Sequence, residues 1–487
     1  MTASESEPCD LRDPYDLAVV GAGPAGLAGA VTAAELGLRV ALLDASAHTG
    51  GQFYRHPAPQ TRAARPEALH HDWPAYAQLR SRLAESTAQH LPGHHVWSIT
   101  NDSDSDSDDA PAWSVHCVTG ADGCDEQPVR VRARAVLLAT GAYERQLPFP
   151  GWTVPGVVSA GGAQAMLKSG LVLPGRRIVV AGSGPLLLAV ASSLAAAGAQ
   201  VPALVEASGY LAYARHPRAL AANPQKAAEA LVHGAALLRH RVRLLPRSAV
   251  TAVHGTDRVE AVTVTRLDRT WRPVQGSGRR IRCDALAVGH GLVPQVELAT
   301  ALGCTTRTTA DGTSALVLGG FQETSVRGLW AAGETGGVGG VRLALAEGEL
   351  AGIAVAARLG AGRARGSRIR ELRRRRDRMR AFADAMAAAH APGPGWRQWL
   401  TDDTDVCRCE EVTAGRIREA VDGLGARDAR AVKLFTRAGM GWCQGRMCGP
   451  AVACLAARDG DPEPPTERRP FAVPVPLSAL AALGDDQ

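Results

Sequence analysis

Two segments of the chain carry the same order of apolar and polar positions. Residues 16–44 run from a short apolar stretch through a glycine-rich turn and a helical run to a second apolar stretch. Residues 176–206 repeat this order, and each segment ends on an acidic residue, Asp44 or Glu206. An apolar strand, a glycine turn, a helix and a second strand are typical of a βαβ unit in a parallel sheet. The sequence therefore predicts an α/β fold with two Rossmann-like units.

One part of the second repeat also has the length of a membrane span. The stretch from Ile178 to Val205 carries no charged residue and is long enough to cross a bilayer. Glycine and proline at residues 182–185 and a further glycine at Gly198 divide it into shorter pieces. We therefore expect a strand, a turn, a helix and a second strand rather than a membrane helix.

Size and charge limit the kinds of protein that this chain can be. At 487 residues it is longer than one ordinary domain, so two or three compact units are expected. The net charge of +6 is small for this length, so a nucleic-acid partner is not expected. The first 16 residues are polar and acidic, without the basic and apolar regions of a secretory signal, so we predict a cytoplasmic location.

The first repeat carries Gly21-x-Gly23-x-x-Gly26 between its first strand and its helix. Gly21 permits the tight turn, Gly23 lets the backbone approach a pyrophosphate, and Gly26 lets the helix lie close to the strand. Asp44 follows the second strand and is placed to accept a hydrogen bond from a ribose hydroxyl. Because the helix N-terminus also attracts phosphate, this segment is predicted to bind a dinucleotide.

The second repeat has Gly182 and Gly184, but Leu187 occupies the position of the third glycine. A leucine there crowds the helix against the strand and weakens the case for a tight pyrophosphate site. Glu206 at the end of the second strand would favour an unphosphorylated ribose. Two interpretations stay open: NAD or another adenine nucleotide binds here, or the fold is retained in an altered form without a nucleotide.

Four cysteines lie close together in the last quarter of the chain. Cys407-x-Cys409 and Cys443-x4-Cys448 are separated by 33 residues. Four thiolates are the ligand set of a [2Fe-2S] cluster or of a structural zinc. Zinc sites favour Cys-x2-Cys pairs, and neither pair has that spacing. A cluster is therefore preferred to zinc and to four buried structural thiols.

Short helices are expected around these cysteines. Residues 413–424 and 426–437 are predicted to form two helices between the cysteine pairs, the first of them capped by Thr413. Gly449-Pro450 is expected to open a third helix, with proline at a permitted early position. Cys454 should point away from the four ligands, as a small buried apolar residue.

Three further segments have unusual compositions. Residues 363–380 include ten arginines and are predicted to form a basic exposed helix leading to the cysteine segment, although an anionic membrane surface or an acidic partner would also suit them. Residues 390–395 are expected to form a hinge. Residues 459–487 are rich in proline and are expected to lie as an extended arm on another surface, either the chain's own or a partner's, while residues 102–109 are expected to form a solvated acidic loop.

Other segments resemble the two-dinucleotide-binding flavoprotein family. Gly50-Gly51-Gln52, Ala139-Thr140-Gly141 and Gly333-Glu334 stand where that family has segments flanking the flavin. The resemblance implies FAD in the first unit, with Glu334 at its ribityl or phosphate region and a helix from Val341 whose N-terminus stabilises negative charge on the pyrimidine ring. The residues implied to bind FAD are Gly21, Gly23, Pro24, Ala25, Gly26, Asp44, Ala45, Gly51, Gln52, Thr140, Gly141, Gly333, Glu334, Gly340 and Val341.

The cysteine segment resembles the bacterioferritin-associated-ferredoxin-like [2Fe-2S] domain, which also begins Cys-x-Cys-Glu. This resemblance implies that Cys407, Cys409, Cys443 and Cys448 are the cluster ligands. Flavoprotein disulfide reductases carry a cysteine pair beside the flavin, and the corresponding segments of this chain contain none. Thiol–disulfide catalysis is therefore not expected.

The likeness to one subfamily runs along nearly the whole chain, from ATGAYERQLPFPG and AGSGPLLLAVA to the tail RRPFAVPVPL. These segments resemble the flavin and iron–sulfur alpha subunits of hetero-oligomeric amino-acid dehydrogenases, which act on D-hydroxyproline, opines or proline and include the middle subunit of hydrogen cyanide synthase. In that family an amine is oxidised at a flavin on a separate beta subunit, and a small ferredoxin-like [2Fe-2S] subunit can complete the assembly. The resemblance implies that this chain contributes no catalytic residue and relays electrons between the partner flavin and an acceptor.

Two alternatives to the relay stay open. A self-sufficient NAD(P)H-dependent reductase would need a competent second nucleotide site. A cysteine module that only docks a partner would leave electron transfer intact after cluster loss. The expected units are an FAD-binding domain in two parts (1–155 and 291–362), a second Rossmann domain (156–290), a basic helical linker (363–395), a small helical [2Fe-2S] domain (396–458) and a proline-rich arm (459–487).

Overall fold

The computed structural model describes residues 14–70, 72–101, 113–121, 124–457 and 471–481. The predicted acidic loop at 102–109 and the first part of the C-terminal arm lie outside these residues. The strands are β1 (Tyr15–Val20), β2 (Val40–Asp44), β3 (Gln89–Pro92), β4 (His95–Asn101), β5 (Trp113–Ala121), β6 (Cys124–Leu138), β7 (Ala142–Glu144), β8 (Val157–Ser159), β9 (Ile178–Gly182), β10 (Ala203–Glu206), β11 (Arg243–Pro246), β12 (Ser248–His254), β13 (Ala261–Arg266), β14 (Arg279–Arg282), β15 (Ala285–Gly289), β16 (Leu292–Pro294), β17 (Thr306–Thr308), β18 (Ser314–Leu316), β19 (Leu329–Ala331), β20 (Asp405–Cys407) and β21 (Val412–Thr413).

Most helices follow the strands in βα order. They are α1 (Pro24–Glu35), α2 (Trp73–Glu85), α3 (Ala160–Gly170), α4 (Leu186–Ala196), α5 (Pro217–Ala221), α6 (Pro224–Arg239), α7 (Glu297–Ala301), α8 (Val341–Arg358), α9 (Gly366–Ala389), α10 (Ala414–Asp422), α11 (Ala429–Thr436), α12 (Gly449–Ala456) and α13 (Leu477–Ala481). Short 3₁₀ helices cover Pro59–Thr61, Pro66–Leu69, Tyr210–Arg215, Gly333–Gly336 and Pro394–Trp399. None of the helices in the described residues is both long and apolar enough to cross a bilayer.

The first sheet has the strand order β3-β2-β1-β6-β5-β4, with β19 on β6. Strand β1 lies parallel to both neighbours, so Val20 is level with Leu43 of β2 and Leu138 of β6. Ala331 of β19 is level with the same Leu138. The carboxyl ends of these parallel strands therefore meet at one edge, where a doubly wound sheet places its ligand.

The second sheet, β11-β10-β9-β15-β8, is parallel throughout and is inserted between β6 and β19 of the first. The chain leaves through β7 and returns through the antiparallel strand β16, with Leu292 opposite Glu144. The uncharged stretch 178–205 forms strand, turn, helix and strand, as predicted. Two Rossmann-like sheets confirm the predicted α/β class, whereas the individual domain boundaries stay predictions.

Helices α1 and α8 approach closely because glycine faces backbone at their contact. A Cβ added at Gly348 would overlap the carbonyl oxygen of Ala25, and one added at Gly352 would lie 2.5 Å from the carbonyl oxygen of Gly29. Ala25 belongs to the first glycine motif. The position of that motif therefore depends on α8, which follows it by more than 300 residues.

The arginine-rich segment forms the predicted helix, but this helix also packs against the rest of the chain. Helix α9 lies along α8, with Leu372, Met379 and Ala383 buried. Arg368 forms a bidentate ion pair with Glu349 of α8, at 2.6 and 2.7 Å. The arginines on this helix are thus partly used inside the chain.

The predicted hinge at 390–395 is instead fixed in place. His390 is buried, and an added Cβ at Gly393 or Gly395 would lie 2.6 Å from the carbonyl oxygen of Thr270. The cysteine segment that follows shares a core with the second unit. Trp399 stacks on Trp271 with parallel rings 6.0 Å apart, and its indole N–H donates to the carbonyl oxygen of Trp271.

The described part of the C-terminal arm lies on the chain's own surface. Phe471 meets Trp97 of β4 edge to face at 5.3 Å, and the N–H of Ala472 donates to the carbonyl oxygen of Trp97. Ala479 of α13 is buried against the same tryptophan. Of the two surfaces that the sequence left open, the described residues use the chain's own.

Candidate functional site

The carboxyl edge of the first sheet brings together the segments predicted to surround a flavin. The turn after β1 carries Gly21 to Gly26, and Asp44 ends β2. The turn after β6 carries Thr140, and Gly333 follows β19. Since these strands are parallel neighbours, the four segments leave the sheet at one edge.

Glycine is required at several of these positions by backbone contact. A Cβ on Gly21 would lie within 3 Å of Ala139, and one on Gly26 would overlap the carbonyl oxygen of Gly21. Gly51 has φ +58° and lies so close that an added Cβ would be 2.8 Å from the Cα of Gly23. A Cβ added on Gly23 would have its nearest neighbour 3.9 Å away, so space beside this backbone is free for a phosphate. These positions fit the pyrophosphate of FAD.

Asp44 holds the turn after β1. Its Oδ2 accepts from the N–H of Ala22 at 2.5 Å, and its Oδ1 accepts from the N–H of Ser46 at 2.6 Å. The carboxylate remains half-buried, so part of it faces outward beside Ala45. The predicted hydrogen bond to a ribose hydroxyl stays a prediction.

Thr140 and Gly141 are tied to the strand that returns from the second unit. The Thr140 hydroxyl donates to the carbonyl oxygen of Gln295 at 2.6 Å. The N–H of Gln295 donates to the carbonyl oxygen of Gly141 at 2.9 Å. Gln52 is used locally, because its side chain accepts from the Arg55 guanidinium at 3.1 Å.

Glu334 caps the glycine loop ahead of α8. Its two carboxylate oxygens accept from the N–H groups of Gly339 and Gly340, at 2.6 and 3.1 Å. Burial raises the pKa of Glu334, while these two amides act in the opposite direction. The expected contact of Glu334 with the ribityl or phosphate region stays a prediction, and the structure assigns the side chain a second task.

Two residues that sequence reasoning missed complete this loop. Glu347 of α8 is buried, accepts from the N–H of Gly333 at 2.9 Å and forms an ion pair with Arg380 of α9. Arg380 also donates to the carbonyl oxygen of Gly337 at 2.5 Å. Helical spacing was the available signal, because Arg380 lies eight residues after the buried Leu372 and next to Met379.

The first turn of α8 contains no acidic residue and begins after Gly340, whose φ is +85°. Just ahead of that turn, the Glu334 carboxylate already accepts from the N–H groups of Gly339 and Gly340. Val341 is the first residue of α8, as predicted. The fully buried Tyr54 hydroxyl has no hydrogen-bond partner among the described residues. Burial raises the pKa of Tyr54 to about 12, and the nearby charge of Arg342 opposes that shift.

The second glycine motif lacks the third glycine of a dinucleotide site. Leu187 is buried at the position that corresponds to Gly26, where an added Cβ would overlap the carbonyl oxygen of Gly21. Both helices begin at the second glycine of their motif, because the N–H of Leu27 donates to the carbonyl oxygen of Gly23 and the N–H of Leu187 to that of Gly184. The weaker pyrophosphate site expected from Leu187 stays a prediction.

The acid of this second motif is sealed. Glu206 has 0% exposed surface, and its oxygens accept from the N–H groups of Gly184 and Ser208 at 3.1 and 2.9 Å. The ring Nδ1 of the buried His390 lies 3.6 Å from the same carboxylate, and its Nε2 is 3.1 Å from the Tyr213 hydroxyl. A ribose therefore finds no open face of Glu206, and no step of the function is assigned to a nucleotide here.

The four predicted thiols converge as two close pairs. Cys407 lies within hydrogen-bonding reach of Cys448, and Cys409 of Cys443. The hydrogen bond between these two thiols lowers the pKa of Cys407 and raises the pKa of Cys448. The N–H of Gly439 donates to the sulfur of Cys407 at 3.4 Å. An N–H group aimed at sulfur suits a cluster ligand.

Two close pairs of thiols suit the two irons of a [2Fe-2S] cluster. A zinc needs four sulfurs at about 2.3 Å from one centre, whereas each iron of a [2Fe-2S] cluster takes two protein thiolates. Helices α10 and α12 begin where predicted, with the Thr413 hydroxyl accepting from the N–H of Arg416. Helix α11 begins at Ala429, three residues later than predicted, because Asp428 caps it by accepting from the N–H of Ala431. Cys454 lies on α12, six residues beyond the last ligand.

A buried ion pair connects the thiol loop to the flavin edge. Arg446, between Cys443 and Cys448, places its Nε 3.0 Å from Oε1 of Glu297, and both side chains are largely buried. Glu297 opens α7, two residues after the Gln295 that binds Thr140 and Gly141. The two candidate sites are therefore joined by one short run of contacts.

Residues 15–348 match the family described as pyridine nucleotide-disulphide oxidoreductases. The chain belongs to this family. Residues 406–458 match the BFD-like [2Fe-2S] binding domain, and this segment contains all four thiols. These matches confirm the predicted FAD and [2Fe-2S] cofactors and the class of flavin oxidoreductase, but they do not confirm a nucleotide at the second site.

Several known proteins are similar over most of the chain. The HcnB subunit of hydrogen cyanide synthase from Pseudomonas protegens is 32% identical, covering 88% of this chain and 89% of that protein. An opine oxidase subunit of Rhizobium meliloti is 33% identical, covering 99% and 90%. These relatives confirm the resemblance to flavin and iron–sulfur subunits.

Solved structures confirm the fold. The L-proline dehydrogenase of P. horikoshii superimposes with a TM-score of 0.65 at 19% identity, covering 96% of this chain and 79% of that one. The thioredoxin reductase of T. acidophilum gives a TM-score of 0.51 at 19% identity, covering 71% of this chain and 99% of that one. The similarity to L-proline dehydrogenase extends beyond the two Rossmann-like units.

Replacing Asp44 tests the flavin site. Asp44→Ala removes the predicted hydrogen bond to the ribose, and one hydrogen bond to a charged group contributes about 1.5–3 kcal/mol, so FAD affinity should fall about 10- to 150-fold. Flavin retained after repeated dilution and ultrafiltration measures this loss. Asp16→Ala is the control, since Asp16 also accepts a backbone N–H but at the other end of β1. Equal flavin content in the two variants would refute the assignment.

Replacing one thiol tests the cluster. Cys443→Ser should abolish the visible and electron-paramagnetic signals of the cluster and leave bound FAD unchanged, because the two sites use different segments. Cys454→Ser, in the same domain, should keep both signals. Loss of FAD together with the cluster in Cys443→Ser would contradict the separation of the two sites.

Proposed function

We propose that this chain is the electron-transfer subunit of a hetero-oligomeric dehydrogenase or oxidase that acts on the C–N bond of an amino acid or opine. The similar proteins support this role, since they are named as subunits of hydrogen cyanide synthase, opine oxidase and sarcosine oxidase. A subunit of this kind needs to hold its carriers and accept a partner, and it needs no residue that attacks the amine. Accordingly, we assign no catalytic residue to this chain.

The observation that carries the proposal is the link between the two sites. The thiol loop and the flavin edge are joined through the ion pair of Arg446 and Glu297 and then through Gln295 to Thr140. If the two carriers lay on units that moved independently, the distance between the carriers would vary. Shared packing of the cysteine segment with the second unit further limits such motion.

The chain's own residues have distinct tasks in this relay. The N–H groups at the start of α1 would hold the FAD pyrophosphate, and the N-terminus of α8 would face negative charge on the pyrimidine ring. Cys407, Cys409, Cys443 and Cys448 would hold the cluster. When bound, FAD supplies exchange of two electrons with one partner and of single electrons with the cluster.

We infer that the amine is oxidised at a flavin on a separate beta subunit, as the family resemblance implies. Electrons would then pass between that flavin and FAD by way of the cluster, and leave to an acceptor. A small ferredoxin-like subunit is the further partner that we expect. The cytoplasm is the location that we propose, with any membrane contact peripheral.

The alternative of a self-sufficient NAD(P)H reductase has less support. It requires an open ribose contact at the second motif, and Glu206 has 0% exposed surface. It also requires close contact of the turn and helix, which Leu187 disfavours. The alternative of a docking module without electron transfer has no comparable observation in its favour.

Anaerobic titration of the purified holo-chain separates these functions. One equivalent of NADH or NADPH should leave the flavin absorbance unchanged over minutes, because the second motif has no open ribose contact. In the co-purified native complex, proline, sarcosine or an opine should bleach the flavin and reduce the cluster. Stoichiometric bleaching of the isolated chain by NADH would overturn the relay in favour of the reductase.

A further inference from the structure

A group of apolar side chains is exposed on the cysteine domain. Leu434 and Phe435 on α11 have 68% and 52% of their surface exposed, and Met440 and Trp442 in the following loop have 39% and 81%. We refer to these four residues as the cluster patch. Large apolar side chains that are exposed together on a soluble surface usually mark an interaction site. A tryptophan with most of its surface in water is especially unusual.

The loop that carries Met440 and Trp442 of the cluster patch lies against the most accessible thiol. Cys409 is exposed, and an added Cβ on Gly441, between Met440 and Trp442, would overlap the Cβ of Cys409. Trp442 directly precedes Cys443. The end of α11 is fastened to the same place, because Arg437 forms an ion pair with Glu410 at 2.8 Å. The patch therefore covers the route by which an electron would leave or enter the cluster.

Basic side chains border the cluster patch. Segments 408–411 and 430–442 contain four basic residues and two acidic ones. Arg408 lies between two of the thiols and is exposed, and Arg430 lies one helical turn before Leu434 and is also exposed. In the described residues neither of these arginines forms an ion pair. The surface therefore offers uncompensated positive charge around an apolar centre.

We propose that the cluster patch is the docking site of an acidic electron-transfer protein or subunit that carries its own redox group near its surface. This inference rests on the proposed relay and identifies where the relay exchanges electrons with its partner. Four apolar side chains make a small interface, as expected for the transient encounters of redox partners. Positive charge at the rim speeds association with an acidic partner and makes the rate depend on salt.

The test measures electron transfer from a photoreduced acidic plant-type [2Fe-2S] ferredoxin to the oxidised holo-chain. We expect a second-order rate constant that falls at least tenfold between 20 mM and 500 mM salt, about the range over which screening removes long-range attraction. Trp442→Ser and the double variant Leu434→Ser/Phe435→Ser should each lower this rate constant at low salt about tenfold or more. The double variant is needed because Trp442 adjoins a cluster ligand.

A matched control replaces apolar residues that are equally exposed elsewhere. Leu231→Ser/Leu238→Ser alters α6, where these side chains are 74% and 80% exposed, and should leave the rate constant unchanged. The cluster spectrum and reduction by dithionite should be the same in every variant. The rate constant for electron transfer from the reduced chain to cytochrome c, which is basic, should not increase at low salt.

Three results would overturn the proposal. The first is an equal rate constant for the patch variants and the α6 control, and the second is a rate constant with ferredoxin that does not depend on salt. The third is that the wild-type chain sediments as a dimer while the patch variants sediment as monomers. The last would show that a second copy of this chain is the occupant. Failure of the relay itself looks different, because flavin and cluster would then not exchange electrons within the chain, whatever happens with ferredoxin.

Discussion

The structure depends on a buried contact between two parts of the chain that are distant in sequence, the ion pair of Arg446 and Glu297. A buried ion pair adds little net stability, because removing two charges from water costs about as much as their attraction returns. Here Oε2 of Glu297 and Nη2 of Arg446 are also buried without partners among the described residues. The pair therefore fixes the orientation of the thiol loop more than it strengthens the fold. Orientation is what a relay between two carriers requires.

The two glycine motifs show how one fold comes to serve two purposes. In the first unit, Gly26 touches the turn at Gly21, and the acid Asp44 remains partly open. In the second unit, the buried Leu187 replaces the third glycine, and Glu206 is covered by His390 from the segment that leads to the cysteine domain. The second unit thus anchors that segment, and its packing against Trp399 extends the same support to the thiols.

Much of this could be predicted from the sequence, because the signals are local. The glycine spacing around Gly21 depends on backbone contacts within one turn, and the cap at Thr413 and the proline of α12 act within one helix. The cysteine spacing predicted that the four thiols come together, and the structure places them in two close pairs.

The remaining features depend on contacts between distant segments. Helical spacing places Arg380 beside the buried residues of α9, but its charge is one of ten in that segment, and its role becomes clear only beside Glu347. His390 stands in a stretch of proline and glycine that predicts a hinge, and burial against the second unit removes that freedom. In both cases contacts between distant segments determine the role of the residue. The same holds for the hydroxyl of Tyr54, which is buried without a hydrogen-bond partner among the described residues.

The most direct test of the relay is one-electron injection into the holo-chain by a laser flash, with flavin and cluster absorbance followed at their own wavelengths. The account predicts that the electron equilibrates between the two carriers with a first-order rate constant that does not change with protein concentration. Arg446→Ala should lower that rate constant while leaving both cofactors bound. A rate that rises in proportion to protein concentration, or no exchange between the carriers, would contradict the account.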